Sequence, residues 1–268
     1  MRPYISVITS LYKKDKVGVI QIEKINELLS RKGFDYEFIV VVDGLNIDRN
    51  IVARSEVQNF LETNSIPHRI LDNQVNMGKG FSIRKGIKNA TGSYLLITDA
   101  DLDIKMSTFE CALKALRDNP SIDAVIPSKF HPGSEVNATG YRQIQSKCFQ
   151  LFTRTLLPTP DNVQDVSCGL KAFRRDVLMD FVDDLVVNRF AIDSEMMYYL
   201  NKSGAKVASI PFHTSLGSES TASNPKEILE MVRSILLLSI KVRLLSFSEV
   251  KLLPGKRFLH AISTRIVL

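Results

Sequence analysis

The sequence predicts an α/β protein built on a doubly wound, mostly parallel sheet with helices on both faces. Three observations lead to this fold class. Short apolar or β-branched runs alternate with segments of helical spacing over residues 4–127. Several of these runs are continuously apolar, which is typical of strands that helices cover on both faces. Acidic residues stand at the ends of two runs, where open α/β sheets bind their ligands.

The elements follow one another in strict alternation. The first run, residues 4–10, is β-branched and alternating, so it predicts a strand. A helix over residues 17–29 follows from its apolar spacing and stops at Lys32-Gly33. The later predictions are strand 36–42, helix 51–62, strand 68–71, helix 78–89, strand 94–98, helix 107–117, strand 123–127 and helix 141–156. A helix over residues 194–200 and one over residues 225–245 complete the order. As an alternative or in addition to a catalytic role, Asp193 could be the N-cap of the first of these two helices.

Composition limits the classes of partner. The net charge of +6 predicts anionic partners such as nucleotide phosphates, a lipid phosphate or an anionic membrane. The basic residues are scattered without a basic-aromatic motif, which argues against nucleic acid. The three cysteines are odd in number and lack paired spacing, and the charged start does not resemble a signal peptide. We therefore expect reduced thiols in a cytoplasmic protein.

The most apolar segment, residues 228–247, does not predict a membrane span. Arg233, Lys241 and Arg243 interrupt it, whereas a span requires roughly 20 apolar residues. It predicts either an amphipathic helix in a membrane interface or a core helix that packs against the sheet.

The acidic residues after residue 98 suggest a metal site. Asp99 and Asp101 are two apart, so on an extended backbone they point the same way, and Asp103 can join them if the chain turns. Carboxylate oxygens of this kind hold Mg²⁺ or Mn²⁺, which neutralises a substrate diphosphate. The alternative is a solvated strand-to-helix turn that Asp103 or Ser107 caps.

A second acid and a glycine-rich segment belong to the same predicted edge of the sheet. Asp43 ends the strand 36–42, where it could accept a hydrogen bond from a ribose or a base. Residues 76–80 precede a predicted helix. Their glycines allow close backbone approach, the helix N-terminus attracts phosphate, and Lys79 adds a positive charge.

Five motifs in order resemble a known family. They are Asp43-Gly44, Asn76-x-Gly78-Lys79-Gly80 with Arg84 and Gly86, Thr98-Asp99-Ala100-Asp101-Leu102, residues 164–173 and residues 189–195. Over residues 4–245 the chain resembles the inverting GT-A glycosyltransferases of family 2. Among these it is most similar to the polyprenyl-phosphate glycosyltransferases of the dolichyl-phosphate β-glucosyltransferase and mannose synthase types. The form Cys168-Gly169-Leu170-Lys171 resembles the glucosyl branch.

The resemblance implies a metal-dependent enzyme that moves a hexose, glucose in the branch it resembles, from UDP- or GDP-hexose to a polyprenyl phosphate. It implies Mg²⁺ or Mn²⁺ as cofactor and peripheral contact with the inner face of the membrane. It also implies a GT-A catalytic domain over residues 1–222, with a donor and metal half (1–127) and an acceptor half (128–222). Residues 223–268 would be an amphipathic helix and tail.

The resemblance also assigns residues. The donor-binding residues would be Tyr12, Asp43, Lys79, Arg84 and Asp99, the metal ligands Asp99, Asp101 and Asp103, the acceptor-binding residues Lys129, Arg142, Ser146 and Asp165, and the catalytic residues Asp101, Lys171 and Asp193. His213 is a further candidate metal ligand or an ordinary packed residue. The family's Pro-x-Tyr-Asn-Glu motif after the first strand retains only its Tyr here.

The chemistry leaves the acceptor open. Lys79 or Lys171 would stabilise the leaving diphosphate. A sugar hydroxyl as acceptor would require Asp193 or Glu195 as base, whereas a lipid phosphate is already anionic. The alternatives are therefore a transferase with a saccharide acceptor and a non-catalytic protein that binds nucleotide sugars. A nucleotidyltransferase is disfavoured because no glycine-rich loop follows the first strand.

Overall fold

Seven strands form one sheet in the computed structural model, which describes residues 4–13, 16–100, 104–136, 140–214 and 225–251. The strands are β1 (Ile5–Leu11), β2 (Tyr36–Asp43), β3 (His68–Asn73), β4 (Tyr94–Thr98), β5 (Ala124–Ser128), β6 (Leu170–Arg174) and β7 (Val207–Pro211). Their order is β3-β2-β1-β4-β6-β5-β7, and only the pairs that involve β6 are antiparallel. The predicted mostly parallel α/β fold is confirmed.

All but one of the helices in the described residues lie close to their predicted positions, and the short helix over residues 175–179 was not predicted. The helices are α1 (Lys16–Arg31), α2 (Asp48–Thr63), α3 (Lys79–Asn89), α4 (Met106–Asp118), α5 (Gly140–Leu156), α6 (Arg175–Met179), α7 (Ile192–Lys202) and α8 (Pro225–Lys251). One prediction was wrong in a way that affects the site. The N-cap of α7 is Ala191, so Asp193 lies inside the first helical turn and is not a cap.

The strand order reverses between β1 and β4. From β1 the chain moves outward through α1 to β2, whereas α3 leads from β3 back past β1 to β4. Because both crossovers join parallel strands and such crossovers are right-handed, α1 and α3 cover opposite faces of the sheet. The carboxyl ends of β1 and β4 therefore flank a crevice at which α/β proteins bind ligands.

The core occupies both faces of the central strands. Val7, Val40 and Leu96 have no exposed surface, as expected for apolar runs that helices cover on both sides. The helix α3 packs so closely on the sheet that a Cβ on Gly86 would lie 2.5 Å from Ile8 Cγ2. A closely packed core thus supports the carboxyl ends of the strands.

The last described helix, α8, packs against α5 and buries Ile235 and Leu238. No helix within the described ranges is long and apolar enough to cross a membrane. All three cysteines are free. Cys168 is buried, which raises the pKa of its thiol to about 12 and leaves it a packing residue.

Candidate functional site

Four charged side chains meet at the carboxyl end of β4, and we call them the ionic network. They are Asp99, Lys79, Asp193 and Lys171, contributed by the end of β4, the start of α3, the first turn of α7 and strand β6. Lys79 Nζ lies 2.9 Å from Asp99 Oδ1 and donates to Asp193 Oδ2 at 2.8 Å. Lys171 Nζ donates to the other oxygen, Asp193 Oδ1, at 2.6 Å. Negative and positive groups therefore alternate across the crevice.

Burial makes these contacts strong. The side chain of Lys79 is 14% exposed and that of Asp193 is 9% exposed, so water screens them weakly. Burial alone would lower the pKa of Lys79, but the carboxylates of Asp193 and Asp99 outweigh it and raise that pKa. Burial would likewise raise the pKa of Asp193, but Lys171 and Lys79 hold it below its ordinary value. Lys79 and Asp193 are therefore both charged at neutral pH.

Lys171 reaches the site because β6 runs antiparallel beside β4. Ile97 pairs with Lys171, and Asp99 N donates to Gly169 O at 2.9 Å. The ammonium group also donates to the carbonyl oxygen of Cys168. Because β6 begins 72 residues after the end of β4, no local pattern near residue 99 could have indicated this neighbour.

Asp43 organises the turn that precedes α3. Its Oδ1 accepts from Asn73 Nδ2 at 3.0 Å and from Met77 N at 2.8 Å, and its Oδ2 accepts from Gly78 N at 2.8 Å. Only 2% of the residue is exposed. The observed contacts give Asp43 a structural role at this turn, and its contact with a nucleoside stays a prediction.

The backbone N–H groups at the N-terminus of α3 already bind another part of the chain. The expected phosphate site on these N–H groups is therefore not open in the structure. Gly80 N and Phe81 N donate to Asn188 O at 2.8 and 3.2 Å. A Cβ on Gly80 would lie 2.2 Å from Val187 O. The glycine does permit a close backbone approach, as expected, but the approaching backbone is residues 187–188. Lys79 is the group of this turn that faces the crevice.

Arg84 also contacts this segment. Its Nη1 donates to Val187 O and its Nη2 to Asn188 Oδ1, each at 2.5 Å. Burial lowers the pKa of Arg84, although the carboxylate of Glu195 opposes this effect. The predicted donor contact of Arg84 stays a prediction, whereas its observed partners belong to the chain.

Glu195 holds the same segment from the other side. It is fully buried, and its two oxygens accept from Val186 N at 3.0 and 3.1 Å and from Val187 N at 2.9 Å. Burial raises the pKa of Glu195 despite these donors. A carboxylate with no exposed surface and occupied oxygens is poorly placed to act as the alternative base.

The predicted acceptor residues form a second group. Lys129 Nζ lies 3.7 Å from Oδ2 of the fully buried Asp165, whose charge raises the pKa of Lys129 against the effect of burial. Gln150, on α5, donates from Nε2 to Asp165 Oδ1 at 3.0 Å. Ser146 lies one turn before Gln150 on the same helix. The structure thus brings Lys129 and Asp165 together and places the helix of Ser146 beside them.

Some predicted site residues are outside the description. Asp101, Asp103 and the side chain of Arg142 lie outside the described residues. Tyr12 is half-buried just after β1, with Lys13 Nζ 5.2 Å from the centre of its ring. It follows the carboxyl end of β1, which flanks the crevice, and its contact with the donor stays a prediction.

The residues next to Asp99 suit a divalent metal in their chemistry. Among the described residues no three His, Cys, Asp or Glu side chains form a metal-binding group. The side chain of Asp99 is 32% exposed, which leaves its carboxylate accessible. Nδ1 of His213 has no hydrogen-bond partner and lies 3.7 Å from Glu135 Oε2. His213 O accepts from Lys105 N at 2.9 Å, two residues beyond Asp103. Carboxylate oxygens such as those of Asp99 fit Mg²⁺ or Mn²⁺.

Comparisons with known proteins agree with this architecture. The family model "Glycosyl transferase family 2" matches residues 6–182. The dolichyl-phosphate β-glucosyltransferase of Trichomonas vaginalis is 26% identical over 216 residues, which are 78% of this chain and 64% of that protein. The dolichol-phosphate mannosyltransferase of Pyrococcus furiosus is 26% identical over 220 residues, 80% of this chain and 59% of that protein. The chain thus spans less than two thirds of these curated relatives.

A solved structure supports the fold. The mannosyltransferase of Pyrobaculum calidifontis, in complex with GDP-Man and Mn²⁺, superposes with a TM-score of 0.58 at 19% identity. The match covers 96% of this chain and 66% of that one. The predicted GT-A fold is confirmed.

Proposed function

The chain belongs to glycosyl transferase family 2, and from this we propose that it is a metal-dependent inverting glycosyltransferase. Its donor is a nucleotide-diphosphate hexose and its acceptor is a polyprenyl phosphate. The names of its relatives support both a glucosyl and a mannosyl donor, so both sugars enter the test below.

The state of Asp193 is the observation that carries the choice of acceptor. Each of its oxygens accepts from an ammonium group, Lys79 on one side and Lys171 on the other. A carboxylate held in this way has a lowered pKa and takes up a proton poorly, so it is a weak general base. A hydroxyl acceptor would need such a base. An anionic phosphate attacks without one, which favours the polyprenyl phosphate over a saccharide.

The charges of the ionic network suit a departing diphosphate. Lys79 and Lys171 are fixed before the reaction, so they stabilise developing negative charge without reorganisation. Asp193 keeps both lysines in place and balances their charge. Asp99, together with Asp101 and Asp103 and with His213 as a further candidate, would hold the metal. When bound, the metal neutralises charge on the diphosphate.

The acceptor phosphate would meet the second group of residues. Lys129 supplies a cation, and buried Asp165 fixes its position. Ser146 and Arg142 are one helical turn apart on α5, a spacing that allows both to contact one phosphate. In this proposal donor and acceptor sites are therefore supplied by different elements of one sheet edge.

Two helices offer a surface for the lipid. The exposed face of α8 carries Leu229, Arg233, Leu236, Ile240 and Arg243, and that of α5 carries Ile144, Lys147, Leu151 and Arg154. Aliphatic side chains interspersed with cations are typical of helices that lie in an anionic membrane interface. We propose that this α5–α8 face contacts the membrane, and its assignment to the inner face stays a prediction.

A transfer assay tests the proposal. The protein is incubated with Mn²⁺ or Mg²⁺, with UDP-glucose or GDP-mannose, and with a short polyprenyl phosphate. The matching polyprenol, which lacks the phosphate, is the control acceptor. We expect an extractable glycolipid from the phosphate only, lost on addition of EDTA. Transfer to polyprenol or to a saccharide alone would move the function to a hydroxyl acceptor. Absence of both turnover and metal-dependent nucleotide binding would favour the non-catalytic alternative.

A further inference from the structure

We propose that Glu195 is a positioning residue that holds Lys79 in the ionic network through residues 186–188. This inference rests on the proposed function, because Lys79 matters to catalysis only if a diphosphate departs at this site. It separates Glu195 from Asp193, although both lie in the first turn of α7.

The first step is the hold of Glu195 on the backbone. Its carboxylate lies within the protein, and three N–H···O contacts of 2.9 to 3.1 Å join it to Val186 and Val187. Burying a carboxylate is costly unless donors satisfy it. Here the donors are main-chain groups, so the carboxylate fixes the path of the chain just before α7.

The second step joins this segment to α3. Asn188 O accepts from Gly80 N and Phe81 N, and Arg84 on α3 donates back to Val187 O and Asn188 Oδ1. A Cβ on Gly78 would lie 2.4 Å from Asn188 O, so the two backbones are in direct contact. The first turn of α3 and residues 186–188 therefore shift together.

The third step is the position of Lys79, the first residue of α3. Its ammonium group lies 2.9 Å from Asp99 Oδ1 and 2.8 Å from Asp193 Oδ2. A displacement of about 1 Å would weaken both contacts, and misplacements of that size reduce turnover by up to about 100-fold. Glu195 itself touches none of these groups, so its effect on the reaction must pass through the segment.

Glu195→Gln is the test, because glutamine keeps the shape but presents an NH₂ group to backbone donors. We expect kcat to fall about 10- to 100-fold while the KM for the donor changes less than about threefold. In a Lys79→Met background the same substitution should cause no further loss, since the group that Glu195 positions is gone.

Glu37→Gln is the matched control. Glu37 is also a buried glutamate that accepts from a backbone N–H, that of Thr91 at 2.7 Å, but it lies at the amino end of the sheet. We expect Glu37→Gln to lower the free energy of unfolding by about as much as Glu195→Gln does, and to leave kcat within about twofold of the wild-type value. Equal losses of kcat in the two variants, or additive losses from Glu195→Gln and Lys79→Met, would overturn the proposal.

Two further measurements keep the proposal testable. If Glu195→Gln does not fold, Asn188→Ala is the second variant, because it removes the side-chain oxygen that accepts from Arg84 Nη2. We expect it to lower kcat by less than Glu195→Gln would, and to cause no further loss of kcat in a Lys79→Met background. Amide hydrogen exchange at Gly80 and Phe81 should accelerate in Glu195→Gln and not in Glu37→Gln. If the wild type does not glycosylate polyprenyl phosphate, the proposed function is wrong. If amide exchange at Gly80 and Phe81 is unchanged in Glu195→Gln, the positioning role of Glu195 is wrong, whatever the function.

Discussion

Single residues divide the work in the first turn of α7. Asp193 pairs with the side chains of Lys79 and Lys171, whereas Glu195 pairs with main-chain N–H groups. The difference follows from direction, since residues two apart on a helix do not share a face. One carboxylate therefore belongs to the ionic network and the other to its support.

Asp193→Asn should cost about 3–5 kcal/mol of unfolding free energy at neutral pH, because it removes the carboxylate that two largely buried ammonium groups share. Lys79 then keeps Asp99 as a charged partner, whereas Lys171 keeps the neutral carbonyl oxygen of Cys168. The pKa of Asp193 is lowered in the fold, so its contribution is present above the ordinary value of about 3.9 and is lost as pH falls through the lowered pKa. Denaturant titrations from neutral pH to about pH 3 should thus show that the difference in unfolding free energy between wild type and variant becomes smaller below about pH 4.

The control for this titration is Asp183→Asn. Asp183 pairs with Lys88 at 2.5 Å, but its side chain is 82% exposed, so the substitution should change stability very little at any pH. If the difference in unfolding free energy between wild type and Asp193→Asn stays constant as the pH falls to about 3, the assignment of a lowered pKa to Asp193 is wrong.

Lys129→Met should raise the KM for polyprenyl phosphate about 10- to 100-fold, because a charge-assisted contact with the phosphate is lost. The KM for the nucleotide sugar should change little, since Lys129 pairs with Asp165 and lies outside the ionic network. Steady-state kinetics in which each substrate is varied in turn check this prediction. Lys114→Met, at an exposed lysine on α4, is the control and should change neither KM. An equal rise in both KM values would remove Lys129 from the acceptor site.

At the scale of elements, the start of α3 is fixed by its contact with residues 187–188. Hydrogen bonds from Gly80 and Phe81 satisfy N–H groups that a helix leaves unpaired at its N-terminus. The sequence predicted an open phosphate site at the N-terminus of α3, but residues 187–188 occupy its N–H groups. Lys79, the first residue of the helix, remains the candidate for contact with a phosphate.

Gly80→Ala should therefore destabilise the protein by about 1–3 kcal/mol and reduce transfer, because the new Cβ meets the carbonyl of Val187 at 2.2 Å. Gly18→Ala is the control within a helix. Its Cβ meets only the end of the Leu11 side chain, at 2.7 Å, which can move. Thermal unfolding and the transfer assay check both. Similar behaviour of the two variants would show that the contact with Val187 is unimportant.

At the scale of the whole molecule, the proposed membrane surface includes α5, the helix that also carries proposed acceptor residues. The helix α5 carries Ser146 and Gln150 toward the group around Asp165 and leaves Ile144 and Leu151 exposed. The helix α8 packs on α5 and leaves Leu236 and Ile240 exposed as well. A lipid phosphate held at the membrane would thus lie near the helix that is proposed to bind it.

Leu236→Asp should weaken binding to vesicles that contain anionic lipid by about 10-fold or more, because one aliphatic side chain no longer enters the interface. Leu236 is 42% exposed on α8, whereas the control, Val52 on α2, is 53% exposed and lies outside the proposed surface. Co-sedimentation of Leu236→Asp and Val52→Asp at low and high salt checks this. Equal binding by the two variants would place the membrane contact elsewhere.

Local patterns in the sequence were sufficient for most of the fold. Apolar runs identified the strands β1 to β5, and helical spacing identified α1 and α8, because these periods are properties of the segments themselves. The strand β6 was missed. It is a short strand inside a motif-rich segment, and its antiparallel place between β4 and β5 depends on contacts distant in sequence.

The sequence by itself determined the fold class, the family and the position of Asp99 at the end of a central strand. It also singled out Lys79, Lys171 and Asp193 as charged candidates. Only the tertiary structure decided that these side chains contact one another, that Glu195 accepts from the main chain of residues 186–187, and that residues 187–188 occupy the N-terminus of α3. The physical reason is that spacing along the chain encodes secondary structure, whereas the charge state of a buried group depends on partners from several separate elements.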